Sequence, residues 1–237
     1  LLTRIPMPRA KDNAPDLAGA LWAFPLAGMI AGCAGAAALL LAHLAGLGGW
    51  LAAGLAITTQ ILITGALHED GLSDTADGFG GGVNTEKCLE IMRDSRIGAY
   101  GVIALILVMG LRWGALAGMD ILFAAFALIA SGALSRLAIV IILVLLPPAR
   151  KDGLGAGIAN PPPLTTGVAA ALTCTAVLFL LPPAMATLSL VLTAAMAALI
   201  AWGAWRKIGG FTGDVLGATA QLAEVAVLLG LAAMIRN

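Results

Sequence analysis

Three aspartates, Asp70, Asp74 and Asp77, stand four and three residues apart in the segment H-E-D-G-L-S-D-T-A-D-G, which runs from His68 to Gly78. On an α-helix that spacing places them within about 60° of arc on one face. The resulting stripe of like charge destabilises a bare helix by mutual repulsion, and a divalent cation would offset it. Hard carboxylate oxygens without clustered Cys or His suit Mg²⁺ or Mn²⁺, ions that keep several waters and bridge to substrate phosphates. Glu69, Asp70, Asp74 and Asp77 are therefore the candidate metal ligands, and transfer of a phosphorylated group is the chemistry they suit. Six of the thirteen acidic residues fall between Glu69 and Glu90, so charge is concentrated here. The blander reading is a solvated helix end outside the membrane, stopped by the glycines that begin at Gly78.

Two further polar segments can serve the same chemistry. In E-I-M-R-D-S-R-I-G, from Glu90 to Gly98, Arg93 and Arg96 can clamp diphosphate oxygens through forked hydrogen bonds. An amphipathic surface helix with a Glu90–Arg93 pair is the ordinary alternative. In F-T-G-D-V-L-G-A, Thr212 and Asp214 open the last apolar run, and Gln221 and Glu224 follow seven and ten residues later. Thr212 can cap that helix, with Asp214 favoured by its dipole, and Thr212 also joins the diphosphate-binding candidates. Gln221 and Glu224 do not fit so plain an account, because polar groups inside a membrane usually face a bundle interior or cavity.

Arg136 lies well inside an apolar run, where an unpaired arginine costs at least ~2.5–3.5 kcal/mol, so it requires an acid or a substrate phosphate. His68, directly before the acidic stripe, can donate to either. Arg112, near the far end of its run, is expected to snorkel to the interface.

These residues are set among long apolar runs. Of 237 residues, 60% are hydrophobic and 11% charged, well below the charged share of about 25% in soluble domains. The runs are Leu21–Leu47, Trp50–Leu67, Gly101–Met119, Ile121–Leu146, Thr166–Leu181, Met185–Trp205 and Leu216–Ile235. Most approach the ~20 residues that cross hydrocarbon as a helix, and they are continuous instead of alternating as barrel strands do. An all-α, polytopic membrane bundle of about seven spans is expected, forming one integral domain over residues 1–237 with the acidic segment 68–101 on one side.

Basic residues set the orientation. Arg4, Arg9, Lys11, Lys87, Arg93, Arg96, Arg150, Lys151, Arg206 and Lys207, ten of the thirteen, fall at alternate connections, which places those ends and the amino terminus in the cytoplasm. The acidic, arginine and Asp214 segments are thereby all predicted at the same cytoplasmic end, where they can share a site. Zero formal net charge gives no sign of a nucleic-acid partner, and three scattered cysteines form no zinc or disulfide framework. The sequence starts at Leu1 with no visible cleavable leader, so the first span is expected to direct insertion. Spans rich in small residues permit close packing within or between chains, which is compatible with a homo-oligomer.

At these positions the sequence resembles the cobalamin synthase family, also called the adenosylcobinamide-GDP ribazoletransferases. The resemblance is carried by T-R-I-P-M-P (Thr3–Pro8), F-P-L-A-G (Phe24–Gly28), the His68–Gly78 segment, E-I-M-R-D-S-R-I-G, S-R (Ser135–Arg136), G-L-G (Gly153–Gly155) and T-G-D-V-L-G-A (Thr212–Ala218). Ser73 replaces the alanine usual in the acidic motif and leaves the acids in register. The resemblance implies transfer of adenosylcobinamide phosphate from adenosylcobinamide-GDP to α-ribazole or α-ribazole 5′-phosphate, releasing GMP, with Mg²⁺ as cofactor. It further implies a multi-pass protein of a bacterial inner membrane with the active site facing the cytoplasm. In such a reaction Glu69, Asp70, Asp74 and Asp77 would hold metal, and Arg93, Arg96 and Arg136, with His68 and Thr212, would bind the diphosphate. The acceptor hydroxyl must lose a proton, and Asp77, Asp94 and Asp214 are the candidate bases.

Other membrane chemistries fit less well. CDP-alcohol phosphotransferases carry D-G-x-x-A-R, but here Asp70-Gly71-Leu72-Ser73 continues with Asp74-Thr75. Polyprenyl transferases need a second aspartate-rich motif, and Asp94 stands alone. A transporter coupling movement to Arg136 and Glu224 would carry its densest acid cluster at midspan and an inverted repeat; here that cluster lies at a membrane edge, and no clear inverted repeat is visible in the sequence.

Overall fold

The structure is a computed structural model describing residues 2–4, 17–150, 158 and 161–235. Arg9, Lys11, Lys151, Gly153–Gly155 and most of the Thr3–Pro8 motif lie outside the described residues. After a short 3-10 turn at Leu21–Ala23 come helices α1 (Phe24–Leu44), α2 (Gly49–Thr64), α3 (Leu67–Gly81), α4 (Thr85–Ile91), α5 (Ala99–Ala117), α6 (Ile121–Leu145), α7 (Pro163–Leu180), α8 (Pro183–Ile208) and α9 (Gly213–Ile235). The chain is an all-α, multi-pass membrane protein. Six of these helices are long and apolar enough to cross a bilayer, and α2 with α3 makes a seventh, bent candidate.

Local chemistry explains most of the boundaries. Prolines open α1, α7 and α8, at first-turn positions where the missing N–H has no intrahelical role. Pro25 thus lies in the first turn of the first long helix. Asp120 caps α6 by accepting from the N–H groups of Leu122 (3.0 Å) and Phe123 (3.3 Å), and Asn84 caps α4 through Lys87 N–H (2.8 Å).

The second apolar run folds differently from expectation. A single crossing from Trp50 to Leu67 was expected, followed by an acidic segment outside it. Instead α2 ends at Thr64, Gly65 and Ala66 both take left-handed conformations (φ 68° and 59°), and α3 leaves at 89° to α2. Ala66 is the one non-glycine residue with positive φ among the described residues, a conformation that costs about 1–2 kcal/mol. The turn sends the acidic helix back against α5 and α9. Its His68, Glu69, Leu72, Ser73 and Asp77 are buried, so it is not a solvated cap.

Helix α6 is the hub: 78% of its apolar window is buried against other helices, compared with 17% for α7 at the periphery. It crosses α1 where Gly28 and Gly132 pass backbone to backbone, and a Cβ on either would collide with the other's carbonyl oxygen. Such glycine contacts let membrane helices approach closely where no hydrophobic driving force exists between them.

Candidate active site

Two glycines bring the acidic helix to the last span. A Cβ on Gly71 would lie 2.7 Å from the Asp214 carbonyl oxygen and 3.1 Å from Gly217 Cα, so α3 and α9 cross in contact at this point. The crossing sets Asp70 and Asp74 beside Asp214, from opposite ends of the sequence. Asp74 is the centre of the group, within electrostatic reach of Asp70, Asp77 and Asp214, with Arg150 as the neighbouring positive charge. Asp70 is exposed, and Asp74 and Asp214 are half-buried, so the cluster opens to water.

The four predicted metal ligands do not act as one group. Glu69, one residue before Asp70, points about 100° away on the helix. Its Oε1 accepts from Gln221 Nε2 at 2.9 Å in the bundle interior. Asp77 keeps its place on the stripe, yet both its oxygens are used: Oδ2 accepts from Gly98 N–H (2.7 Å) and Oδ1 from Gly101 N–H (2.9 Å). It caps α5 from a neighbouring helix. Asp77→Ala should therefore lower thermal stability by about 1–2 kcal/mol, the usual worth of a cap, with or without metal, as a melting curve in detergent will measure.

Among the described residues, no three acid, His or Cys side chains converge closely enough to hold one ion. The donor set at the crossing still suits Mg²⁺, which is commonly held by one or two carboxylates with water and substrate phosphate completing the shell. Asp70, Asp74 and Asp214 bring three carboxylates together there, and Arg150 is the basic residue beside them among the described residues.

The remaining predicted residues divide between the surface and the interior. Arg93, Asp94 and Arg96 occupy the segment between α4 and α5, which Asp77 tethers at Gly98. There Asp94 and Arg96 bind each other, with Arg96 Nη2 donating to Asp94 Oδ2 at 2.6 Å, and the Arg96 side chain is 87% exposed. Hydrogen bonds from the Arg96 side chain, then from its backbone N–H, hold Asp94 down at about 2, making it a weak proton acceptor at neutral pH. Thr212 fills the capping role: Val215 N–H donates to its Oγ1 (3.3 Å), which donates in turn to Asp214 Oδ2 (3.2 Å).

The interior residues build a second polar layer. Arg112, expected to snorkel outward, is instead 1% exposed. Its Nη1 donates to Gln221 Oε1 (2.8 Å), and its Nη2 to Gln60 Oε1 (2.9 Å) and Glu224 Oε1 (2.8 Å). Side chains on a helix lean toward its N-terminus, and α5 starts at the acidic end, so Arg112 is aimed back into the bundle. Arg136 lies 3.6 Å from Glu224 Oε2 and donates to Ser135 Oγ at 2.8 Å. His68 lines the same small polar cavity, with Gln60, Glu69, Arg112, Arg136, Gln221 and Glu224. Arg112 and Arg136 balance Glu69 and Glu224 in charge. Glu224 lies ten residues beyond Asp214 on α9, about 15 Å along the helix, so the network sits near the middle of that span.

Sequence reading missed Arg112, Gln60 and Arg150 as members of these layers. A glutamine alone in the apolar α2 run was the available signal for the first two. Arg150 gave none, because its position depends on how α6 returns toward α9.

The family model for cobalamin-5-phosphate synthase matches residues 1–232. An adenosylcobinamide-GDP ribazoletransferase of Bradyrhizobium diazoefficiens is 46% identical over 234 residues, covering 98% of this chain and 90% of the relative. The enzymes of the same name from Mesorhizobium japonicum (45% over 228 residues, 96% and 88% covered) and Azorhizobium caulinodans (47% over 240 residues, 96% and 90% covered) are similarly alike. No solved structure matches the chain significantly.

Proposed function

The chain belongs to the cobalamin-5-phosphate synthase family, and from that premise we propose that it is an adenosylcobinamide-GDP ribazoletransferase, as its relatives are named. It transfers adenosylcobinamide phosphate from adenosylcobinamide-GDP to a hydroxyl of α-ribazole or α-ribazole 5′-phosphate and releases GMP. The observation that carries this reading is the meeting of Asp70, Asp74 and Asp214 at the Gly71–Gly217 crossing, an open, acid-lined site beside an arginine.

In this reaction the acceptor hydroxyl attacks the phosphorus that bears the corrinoid. The bridging P–O bond then breaks, and GMP departs with the bridging oxygen. Asp70 and Asp74 would hold Mg²⁺, which supplies charge neutralisation on the diphosphate. Asp214, on α9 and hydrogen-bonded by Thr212, would take the hydroxyl proton, since Asp94 is too weak a base and Asp77 is engaged with backbone amides. The interior network fixes the depth of α3 through Glu69 and thereby holds Asp70 and Asp74 at the crossing. Positioning of this kind supplies much of the catalysis in phosphoryl transfer.

The proposed setting is a bacterial inner membrane with the acidic mouth toward the cytoplasm. Lys87, Arg96, Arg150 and Lys207 support that orientation, because each lies at the acidic end of the bundle: Lys207 Nζ, in the last turn of α8, donates to Phe79 O (2.8 Å) and Arg150 to Leu89 O (2.8 Å).

The test is GMP release by lipid-reconstituted protein given adenosylcobinamide-GDP and α-ribazole. Stoichiometric GMP and corrinoid product with Mg²⁺, and neither with chelator, is the expected result. Full turnover in chelator would remove the metal from the scheme, and a folded protein without product would overturn the reading.

A further inference from the structure

We propose that Arg150 is the residue that binds the diphosphate of the nucleotide-activated substrate, an inference that rests on the functional reading above. It differs from the sequence-based assignment of that task to Arg93, Arg96 and Arg136, with His68 and Thr212.

The end of α6 is spliced to the entrance of α9 by two backbone hydrogen bonds, Phe211 N–H to Pro147 O (2.9 Å) and Ala149 N–H to Phe211 O (2.8 Å). Gly210 permits this approach, since a Cβ there would collide with the Pro147 carbonyl oxygen and lie 2.9 Å from Ala149 N. The splice holds the backbone of Arg150 next to the first turn of α9. From there its guanidinium spans two elements: Nη2 donates to the Leu89 carbonyl at 2.8 Å, and Nη1 lies 4.0 Å from Asp214 Oδ2. The side chain is 15% exposed, so it is held from behind and reaches the acid cluster from one side.

At 4.0 Å the contact with Asp214 is longer than a hydrogen bond, and a phosphate oxygen entering between the groups can replace it. A planar guanidinium is suited to two phosphate oxygens at once. Arg96 is bound by Asp94 and its side chain stands out in solvent, away from the α3–α9 crossing.

Binding and metal affinity should move in opposite directions. Removing a positive charge beside Asp74 and Asp214 favours a bound cation, whereas removing the diphosphate's partner weakens the substrate. A structural tie would weaken both together. In the lipid-reconstituted full chain, Arg150→Gln should raise KM for adenosylcobinamide-GDP about 10- to 100-fold, leave KM for α-ribazole unchanged, and leave half-saturation by Mg²⁺ unchanged or lower. Arg150→Lys should recover part of the loss. GDP binding in the presence of Mg²⁺, measured without turnover, should weaken by a similar factor in Arg150→Gln.

If Arg150→Gln binds GDP as the parent does, or loses Mg²⁺, α-ribazole and melting temperature together, the inference is overturned. Arg150-dependent GDP binding without any GMP release from the parent protein would support Arg150 as the diphosphate residue while sinking the assigned reaction. A parent protein that neither turns over nor binds GDP would sink both.

Discussion

Asp74→Asn is expected to reduce GMP release by about 10²- to 10³-fold, the scale on which removal of one charge-stabilising group acts, while the protein remains inserted and folded. Asp74 is the carboxylate that Asp70, Asp77 and Asp214 surround, and no hydrogen bond in the described structure ties it into the fold. Asparagine is nearly isosteric but lacks the charge, so the substitution removes a metal-binding oxygen without opening a cavity. Relief of repulsion among neighbouring carboxylates should leave the melting temperature unchanged or slightly higher. The measurement is turnover against Mg²⁺ concentration beside a melting curve in detergent. Unaltered turnover would exclude Asp74 from the site, and loss of the folded protein would mean that its role is structural.

Arg112→Met should have the largest effect on stability. One guanidinium serves Gln60 from α2, Gln221 and Glu224 from α9, and lies 3.7 Å from Glu69 Oε1 on α3. Removing one partner of a buried ion pair costs about 3–5 kcal/mol, because the remaining charge is left uncompensated, a large share of a total stability of about 5–15 kcal/mol. The expected outcome is a sharp fall in the monodisperse fraction after mild heating in detergent. Arg112→Lys should recover little, since an ammonium does not reproduce the planar fork that reaches these oxygens. Combining Arg112→Met with Glu224→Gln leaves Glu69 to balance Arg136 and should restore part of the stability. If the single variant is as stable as the parent, the network does not hold these four helices together.

The two outcomes separate the functions of α3's faces. Asp74 faces the open cluster and should affect chemistry without stability, whereas Glu69, a neighbour in sequence to Asp70, faces Arg112 and belongs to the stability of the bundle. Asp77 lies between these roles, on the stripe by its spacing and on the α5 amides by its contacts.

What the sequence determined by itself is whatever depends on distance along the chain. Membrane crossing depends on an apolar length, so the runs were legible, and the gaps between the first and second and between the fifth and sixth runs correspond to the connections between α1 and α2 and between α7 and α8. The aspartate stripe was legible because 100° per residue fixes which side chains share a face. The tertiary structure alone decided what each face meets. Two left-handed residues at Gly65 and Ala66 turned the acidic helix inward, and Gly71 against Gly217 selected Asp214 as its companion. Arg112 found Glu224 across 112 residues of sequence, and Arg150 reached Asp214 through a backbone splice at Phe211. Periodicity specifies the direction of a side chain relative to its own helix axis. The partner it reaches depends on how closely two helices approach, and that is set by glycine contacts and buried charge pairing among segments far apart in the chain.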